Sequence, residues 1–233
     1  MTKKILWLPG WGMLPELCPE YDFEGMPLQA ALPWPGYVEN TQNSLSEAWS
    51  TEALIQWLDH QVEYSASHGE PVELAGWSMG GLLALCYVDR FPEKVSHLSL
   101  WASTACFVED EHWPGQSQQA VERLYEGLSH QDSRVFERFL KSQIPPTPEF
   151  RDIRRRWLAQ MSEYPDWMAL KVSLDWLIHT DIRDRLPHIH VPITVHHGTE
   201  DAIIPFEAGE SLVKQLPNAV WRSHPGKGHA LWL

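Results

Sequence analysis

Short apolar runs alternate along this chain with longer stretches of helical spacing. The first run, in "KKILWL", stops at Pro9-Gly10 and predicts a buried strand. Residues 13–46 are rich in loop signals, with "PWPG" as punctuation. In residues 47–65, "EAWSTEALIQWLDHQVEYS", the apolar positions Trp49, Ala53, Leu54, Trp57, Leu58 and Val62 keep to one helical face. "PVELAG" then predicts a strand, "MGGLLALCYVDRF" a helix and "KVSHLSLWAS" another strand. "PITVHHG" at 192–198 and "AVWRSHPG" at 219–226 predict two more. Strands that alternate with helices imply an α/β fold, a mostly parallel sheet covered by helices on both faces. Residues 106–186 break that rhythm. They hold the helical patterns "QQAVERLYEGL", "SRVFERFLKSQ" and "FRDIRRRWLAQM" and no convincing strand. The expected organisation is therefore a first part of the sheet in 1–105, a helical insertion in 106–186 and the last part of the sheet in 187–233.

Composition narrows the function classes. The 233 residues are 43% hydrophobic and 21% charged, as expected of one globular domain. A formal net charge of −13 argues against a general nucleic-acid or membrane-surface binder. Thirteen Trp suggest large apolar contact surfaces. Cys18, Cys86 and Cys106 are odd in number and scattered, so neither a disulfide framework nor a cysteine-zinc site is expected. No stretch is long enough to span a bilayer, and the first apolar run is too short for a signal peptide. The expectation is a cytoplasmic monomer.

The chemistry concentrates in "LAGWSMGGLLAL". Gly76-Trp77-Ser78-Met79-Gly80 is G-x-S-x-G, preceded by a predicted strand and followed by a predicted helix. So sharp a turn crowds the positions two before and two after its centre, and glycine relieves the crowding. Gly81 is a further small residue where the helix must pack closely. A serine hydroxyl at such a turn is lifted above the sheet, but it needs a base to take its proton and a carboxylate to orient that base. In this topology the order is Ser, Asp, His, each in a loop after a strand. "VHHGTEDAIIP" supplies Asp201, with Glu200 as the alternative, and "SHPGKGHALWL" supplies His229. An oxyanion would be met by the N–H groups of Met79 and of Trp11 in "PGWGM", where the Trp11 ring also walls an acyl pocket. His196 and His197 read as structural. "HIH" at 188–190 with "HH" lacks a carboxylate or cysteine at ligand spacing, so no metal is expected. The chemistry requires no cofactor.

The words "GWGM", "GWSMGG", "FPEKV", "WASTACFVEDEHWPG", "VFERFLKSQ" and the terminal "GHA" resemble the pimeloyl-[acyl-carrier protein] methyl ester esterases of biotin synthesis, a family of α/β-hydrolases. The resemblance implies catalysis by Ser78, Asp201 and His229, with Trp11 and Met79 around the oxyanion. It places Phe139, Leu140, Lys141, Ser142 and Gln143 along an acyl channel. It implies cleavage of a methyl ester from a pimeloyl chain carried on acyl-carrier protein. Three features depart from the family: Pro9 replaces a usual histidine, the chain begins directly in its first strand, and it ends four residues after His229. An abbreviated sheet edge and abbreviated C-terminal packing are expected from the last two.

Charge adds a second signal. Residues 134–156 hold seven cations against three carboxylates, whereas the remaining residues hold eleven against 28. Arg134 and Arg138, and Arg151 and Arg155, are i, i+4 pairs that can each share a helix face. One reading is a solvated surface. The other is a docking patch for acyl-carrier protein, an acidic partner that the rest of the chain would repel. Two further functions stay open at this level: a broad short-chain carboxylesterase or thioesterase without a carrier, and a non-catalytic binding module.

Overall fold

The computed structural model describes residues 5–13, 19, 25–29, 34–37, 48–66, 69–160 and 166–233. Six strands form one sheet, all parallel: β1 (Ile5–Leu8), β2 (Leu28–Gln29), β3 (Val72–Trp77), β4 (Val95–Trp101), β5 (Ile193–Gly198) and β6 (Ala219–His224). Their order across the sheet is β2-β1-β3-β4-β5-β6. Parallel neighbours need crossovers, and helices on the faces exclude water from the central strands. The sequence reflects this. All four residues of β1 are buried, and the apolar runs of β3 and β4 show no in-out alternation. The edge strand β6 keeps several polar side chains in solvent.

Helix α1 (Thr51–Ser65) starts four residues later than the spacing suggested. Ser50 stops it there by accepting a hydrogen bond from the Ala53 N–H, which satisfies one of the helix's free donors. Helix α2 (Met79–Arg90) is apolar almost throughout and is buried accordingly, from Met79 to Val88. Between β4 and β5 lie α3 (Gln118–Ser129), α4 (Ser133–Ser142), α5 (Arg151–Gln160) and α6 (Trp167–His179). Helix α7 (Phe206–Gln215) joins β5 to β6. The sequence reading had not anticipated α6, α7 or the two-residue β2. In α6, "WMALKVSLDWLIH", Lys171, Asp175 and His179 mark a narrow polar face and the remaining positions are mostly apolar.

All six strands run the same way, so the loops that follow them gather at one edge of the sheet. Trp11 lies after β1, Ser78 after β3, Asp201 after β5 and His229 after β6. Behind that edge, Trp232 packs edge-on against Trp7 and Trp77, with ring centroids 6.0 and 4.7 Å apart, and meets Trp101 and Trp157. Trp232 thus joins an aromatic cluster, and Ala230 and Leu231 beside it are buried. Cys86 and Cys106 are free and buried, and Cys18 lies outside the described residues. Among the described residues no helix is long and apolar enough to cross a membrane.

Candidate active site

Ser78 sits at φ 54° and ψ −119°, a conformation that costs a non-glycine residue about 1–3 kcal/mol. The surroundings hold it there. Its N–H donates to Trp101 O at 2.9 Å, and its carbonyl accepts from Gly81 N, Leu82 N and the Ser103 hydroxyl, at 3.0, 3.2 and 2.8 Å. The flanking glycines are dictated by backbone. A Cβ on Gly76 would lie 2.6 Å from Gly81 Cα, and one on Gly80 would collide with Leu8 O. Met79 opens α2, so its N–H has no acceptor within the helix.

The Asp201 side chain is fully buried, with three hydrogen-bond donors on its carboxylate and a fourth N–H close by. Oδ1 accepts from the N–H groups of Ile203 and Ile204, at 2.8 and 3.0 Å. Oδ2 accepts from His229 Nδ1 at 2.9 Å and faces His197 Nε2 at 3.3 Å. Burial alone would raise the Asp201 carboxyl. The charge of His229 and the hydrogen bonds from both histidines outweigh it and hold the group well below the usual carboxylate range. His229 is itself buried, and its carbonyl accepts from Trp77 Nε1 at 2.9 Å. Its ring lies 5.3 Å from the Trp77 ring. The residue before the serine is therefore tied to the histidine. Glu200, the alternative carboxylate, is exposed, and its N–H donates to Lys227 O.

Trp11 occupies the second position of a turn closed by Met13 N–H to Gly10 O. Gly12 follows at φ +73°, where a Cβ would also meet Phe136 at 2.8 Å. Two residues that sequence reasoning missed hold this turn. The Tyr37 hydroxyl accepts from Gly12 N at 3.1 Å and lies 2.9 Å from Ser173 Oγ, and Ser173 also accepts from Trp11 Nε1 at 3.0 Å. Trp11 Nε1 reaches Leu170 O as well. Tyr37 comes from a loop and Ser173 from a distant helix, so no local spacing pointed to either.

The five consecutive residues 139–143 do not share one environment, because a helix turns them apart by about 100° each. The Phe139 ring meets Trp11, with centroids 4.7 Å apart. Phe139 and Ser142 line a cavity of about 70 Å³ with Phe107, Val121, Ala202 and Ile203, next to Asp201. Leu140 is buried in the core. Lys141 turns outward to pair with Glu137 at 3.5 Å. Gln143 is buried with both amide atoms unpaired, and its carbonyl accepts from Ala230 N beside His229. Arg134, Arg138, Arg151 and Arg155 are exposed. Arg134 is engaged by Asp132 through two 2.9 Å hydrogen bonds, and Arg155 by Asp152 at 3.2 Å. Among the described residues no group of three or more His, Cys, Asp or Glu side chains is placed to hold a metal ion.

A parallel sheet with a strained serine between strand and helix, and with aspartate and histidine in the loops after its last two strands, defines an α/β-hydrolase. Comparison with known proteins agrees. The family described as "Serine aminopeptidase, S33" matches residues 47–233. A pimeloyl-[acyl-carrier protein] methyl ester esterase from Chromobacterium violaceum is 34% identical over 164 residues, 70% of this chain and 65% of that protein. One of the same name from Aeromonas hydrophila subsp. hydrophila is 31% identical over 175 residues, 74% of this chain and 68% of that protein. The fold of an esterase from Exiguobacterium antarcticum superposes with a TM-score of 0.84 at 20% identity, covering 99% of this chain and 86% of that one. The chain belongs to the pimeloyl-[acyl-carrier protein] methyl ester esterase family of serine hydrolases.

Proposed function

We propose that this chain hydrolyses the methyl ester of a pimeloyl group carried on acyl-carrier protein, as a cytoplasmic step of biotin synthesis. The observation that carries the chemistry is the buried 2.9 Å bond between Asp201 and His229, placed at the sheet edge where Ser78 is strained upward. The Ser78 hydroxyl attacks the ester carbonyl while His229 Nε2 takes its proton. Asp201, bonded to Nδ1, fixes the tautomer and stabilises the imidazolium. The N–H groups of Trp11 and Met79 receive the oxyanion. His229 returns the proton to the departing methoxide, methanol leaves, and a water deprotonated by His229 releases the acid. No metal ion or organic cofactor enters these steps.

The helical insertion supports the recognition half of the proposal. Phe139, Trp11 and the small cavity beside Ala202 and Ile203 supply an apolar wall for the acyl chain. Gln143, whose amide has no partner among the described residues, supplies polar atoms beside the His229 loop. Outside, Lys141, Arg151, Arg154 and Arg155 line a groove of about 430 Å³ between α4 and α5, with Pro146, Pro148 and Leu158 as its apolar part. With Arg134 and Arg138 this forms a basic face on an acidic protein, complementary to an acidic carrier. The test is hydrolysis of carrier-bound pimeloyl methyl ester beside a free short-chain ester. A clear preference for the carrier-bound substrate supports the proposal. Equal kcat/KM on both points to a general carboxylesterase.

A further inference from the structure

His197 is the buried titratable group that the mechanism above leaves unused. Side chains alternate along β5, so His196 and His197 leave the strand on opposite faces. His196 meets His224 on one of them. The ring of His197 is completely buried on the other, its centroid 6.1 Å from Phe206 and 6.2 Å from Trp221. Gly209 of α7 makes room for it: a Cβ there would lie 2.5 Å from Nδ1.

The two ring nitrogens have unlike surroundings. Nε2 lies 2.9 Å from Ile204 O and 3.3 Å from Asp201 Oδ2. A carbonyl and a carboxylate only accept, so the proton is on Nε2. Nδ1 is enclosed without a hydrogen-bond partner among the described residues. A proton on Nδ1 would be a buried donor with no acceptor among the described residues, which again places the ring proton on Nε2. The bond to Ile204 O closes the loop that carries Asp201. The longer contact to Oδ2 brings a second N–H to the oxygen that holds His229. Electrostatically His197 is linked to Asp201, through it to His229, and also to His224 of β6 on the far side of the strand.

We infer that His197 is a positioning residue for the hydrolysis: as an Nε2–H donor it fixes the Asp201 carboxylate so that Oδ2 faces His229 Nδ1. This rests on Ser78, His229 and Asp201 being the reacting unit, and a Ser78→Ala control tests that separately. By sharing Oδ2, His197 tempers the pull of the carboxylate on the His229 proton. Removing it leaves Asp201 and His229 together with a higher proton affinity.

The experiment compares wild type, His197→Phe and His197→Gln on an activated p-nitrophenyl ester across pH. His197→Phe keeps a ring between Phe206 and Trp221 but donates nothing. Its kcat should fall about tenfold, the low end for losing one hydrogen bond to a charged group, with little change in KM. The acid limb of kcat/KM should move up by about half a pH unit or more. His197→Gln keeps a donor and should return the limb toward wild type. Should His197→Phe fail to fold, ¹⁵N NMR of the wild-type imidazoles reads the tautomer directly, and a protonated Nε2 with a bare Nδ1 is expected. The inference is overturned if His197→Phe shares the wild-type limb, if both variants lose only thermal stability, or if Nδ1 carries the proton. Hydrolysis that survives Ser78→Ala would instead overturn the proposed function.

Discussion

The carboxyl edge of the sheet and the helical insertion above it are built under different constraints. At the edge, nearly every residue answers to backbone. Gly76 and Gly80 leave no space for a Cβ, Ser78 is held in a strained conformation on both sides of its peptide, and Asp201 is enclosed by three hydrogen-bond donors with a fourth N–H close by. In the insertion, the buried positions answer to packing and the exposed ones to little else. Phe136, Leu140 and Trp157 are buried, while Arg134, Arg138, Arg151 and Arg155 extend into solvent. Chemistry that needs sub-ångström placement sits where the backbone allows no alternative. Recognition of a partner can be carried by exposed surface charges, some of them held in local ion pairs such as Arg134 with Asp132 and Arg155 with Asp152.

The strongest way to break this contrast is at the elbow. Ser78→Ala should keep the fold, because alanine fits the turn, and kcat should fall about 10⁴–10⁶-fold in a steady-state ester assay. Asp201→Asn should cost about 10⁴-fold by favouring the wrong tautomer of His229, while the exposed Glu200 tolerates Gln. Damage from Glu200→Gln in place of Asp201→Asn would mean that the wrong carboxylate has been assigned.

Phe139 sharpens the comparison at the boundary, because its ring meets Trp11 of the sheet edge from within the insertion. Phe139→Ala should raise KM for longer acyl esters more than for acetate esters, by an amount worth about 1–3 kcal/mol. An equal effect on both substrates would make Phe139 a packing residue only.

Acid should loosen the sheet through a different pair. Burial first, and then the charges of His224, Arg222 and His97, push His196 down to about 3. An unfolded histidine titrates near pH 6.5, so between these values the unfolded chain binds the additional proton. The stability contributed by neutral His196 is full above about pH 6.5 and is lost as pH falls toward 3. Denaturant titrations should show wild type losing about 2 kcal/mol more than His196→Gln between about pH 6.5 and 5. Parallel losses in the two proteins would remove His196 from the account.

What could be read from the sequence follows the same divide. Short segments rich in apolar residues between turn signals announced five of the six described strands, and the glycine pattern announced Ser78. Asp201 and His229 followed from their order after strands. These are local signals with a backbone cause. Tyr37, Ser173 and His197 gave no such signal, because each acts on a residue brought near only by the fold. The grouping of residues 139–143 into one channel came from resemblance, and helix geometry divides them among the cavity, the core and the basic groove. Helix α6 is less legible because its polar face is narrow, with Lys171, Asp175 and His179 at four-residue spacing among mostly apolar positions.

The central claim is that the sheet edge sets the chemistry and the basic face of the insertion selects the carrier. Rim charges are worth about 0.2–1 kcal/mol each and are screened over about 10 Å at 0.1 M salt. The most direct measurement is kcat/KM of Arg138→Glu/Arg155→Glu beside wild type, on carrier-bound pimeloyl methyl ester and on a free uncharged ester, at low and high salt. The account predicts a loss of about tenfold or more on the carrier-bound ester, mainly through KM, with wild type also slowing on that substrate as salt rises and the free ester nearly unchanged. Equal losses on both substrates would show that the arginines hold the insertion together, and no loss on either would show that the basic face is solvated surface.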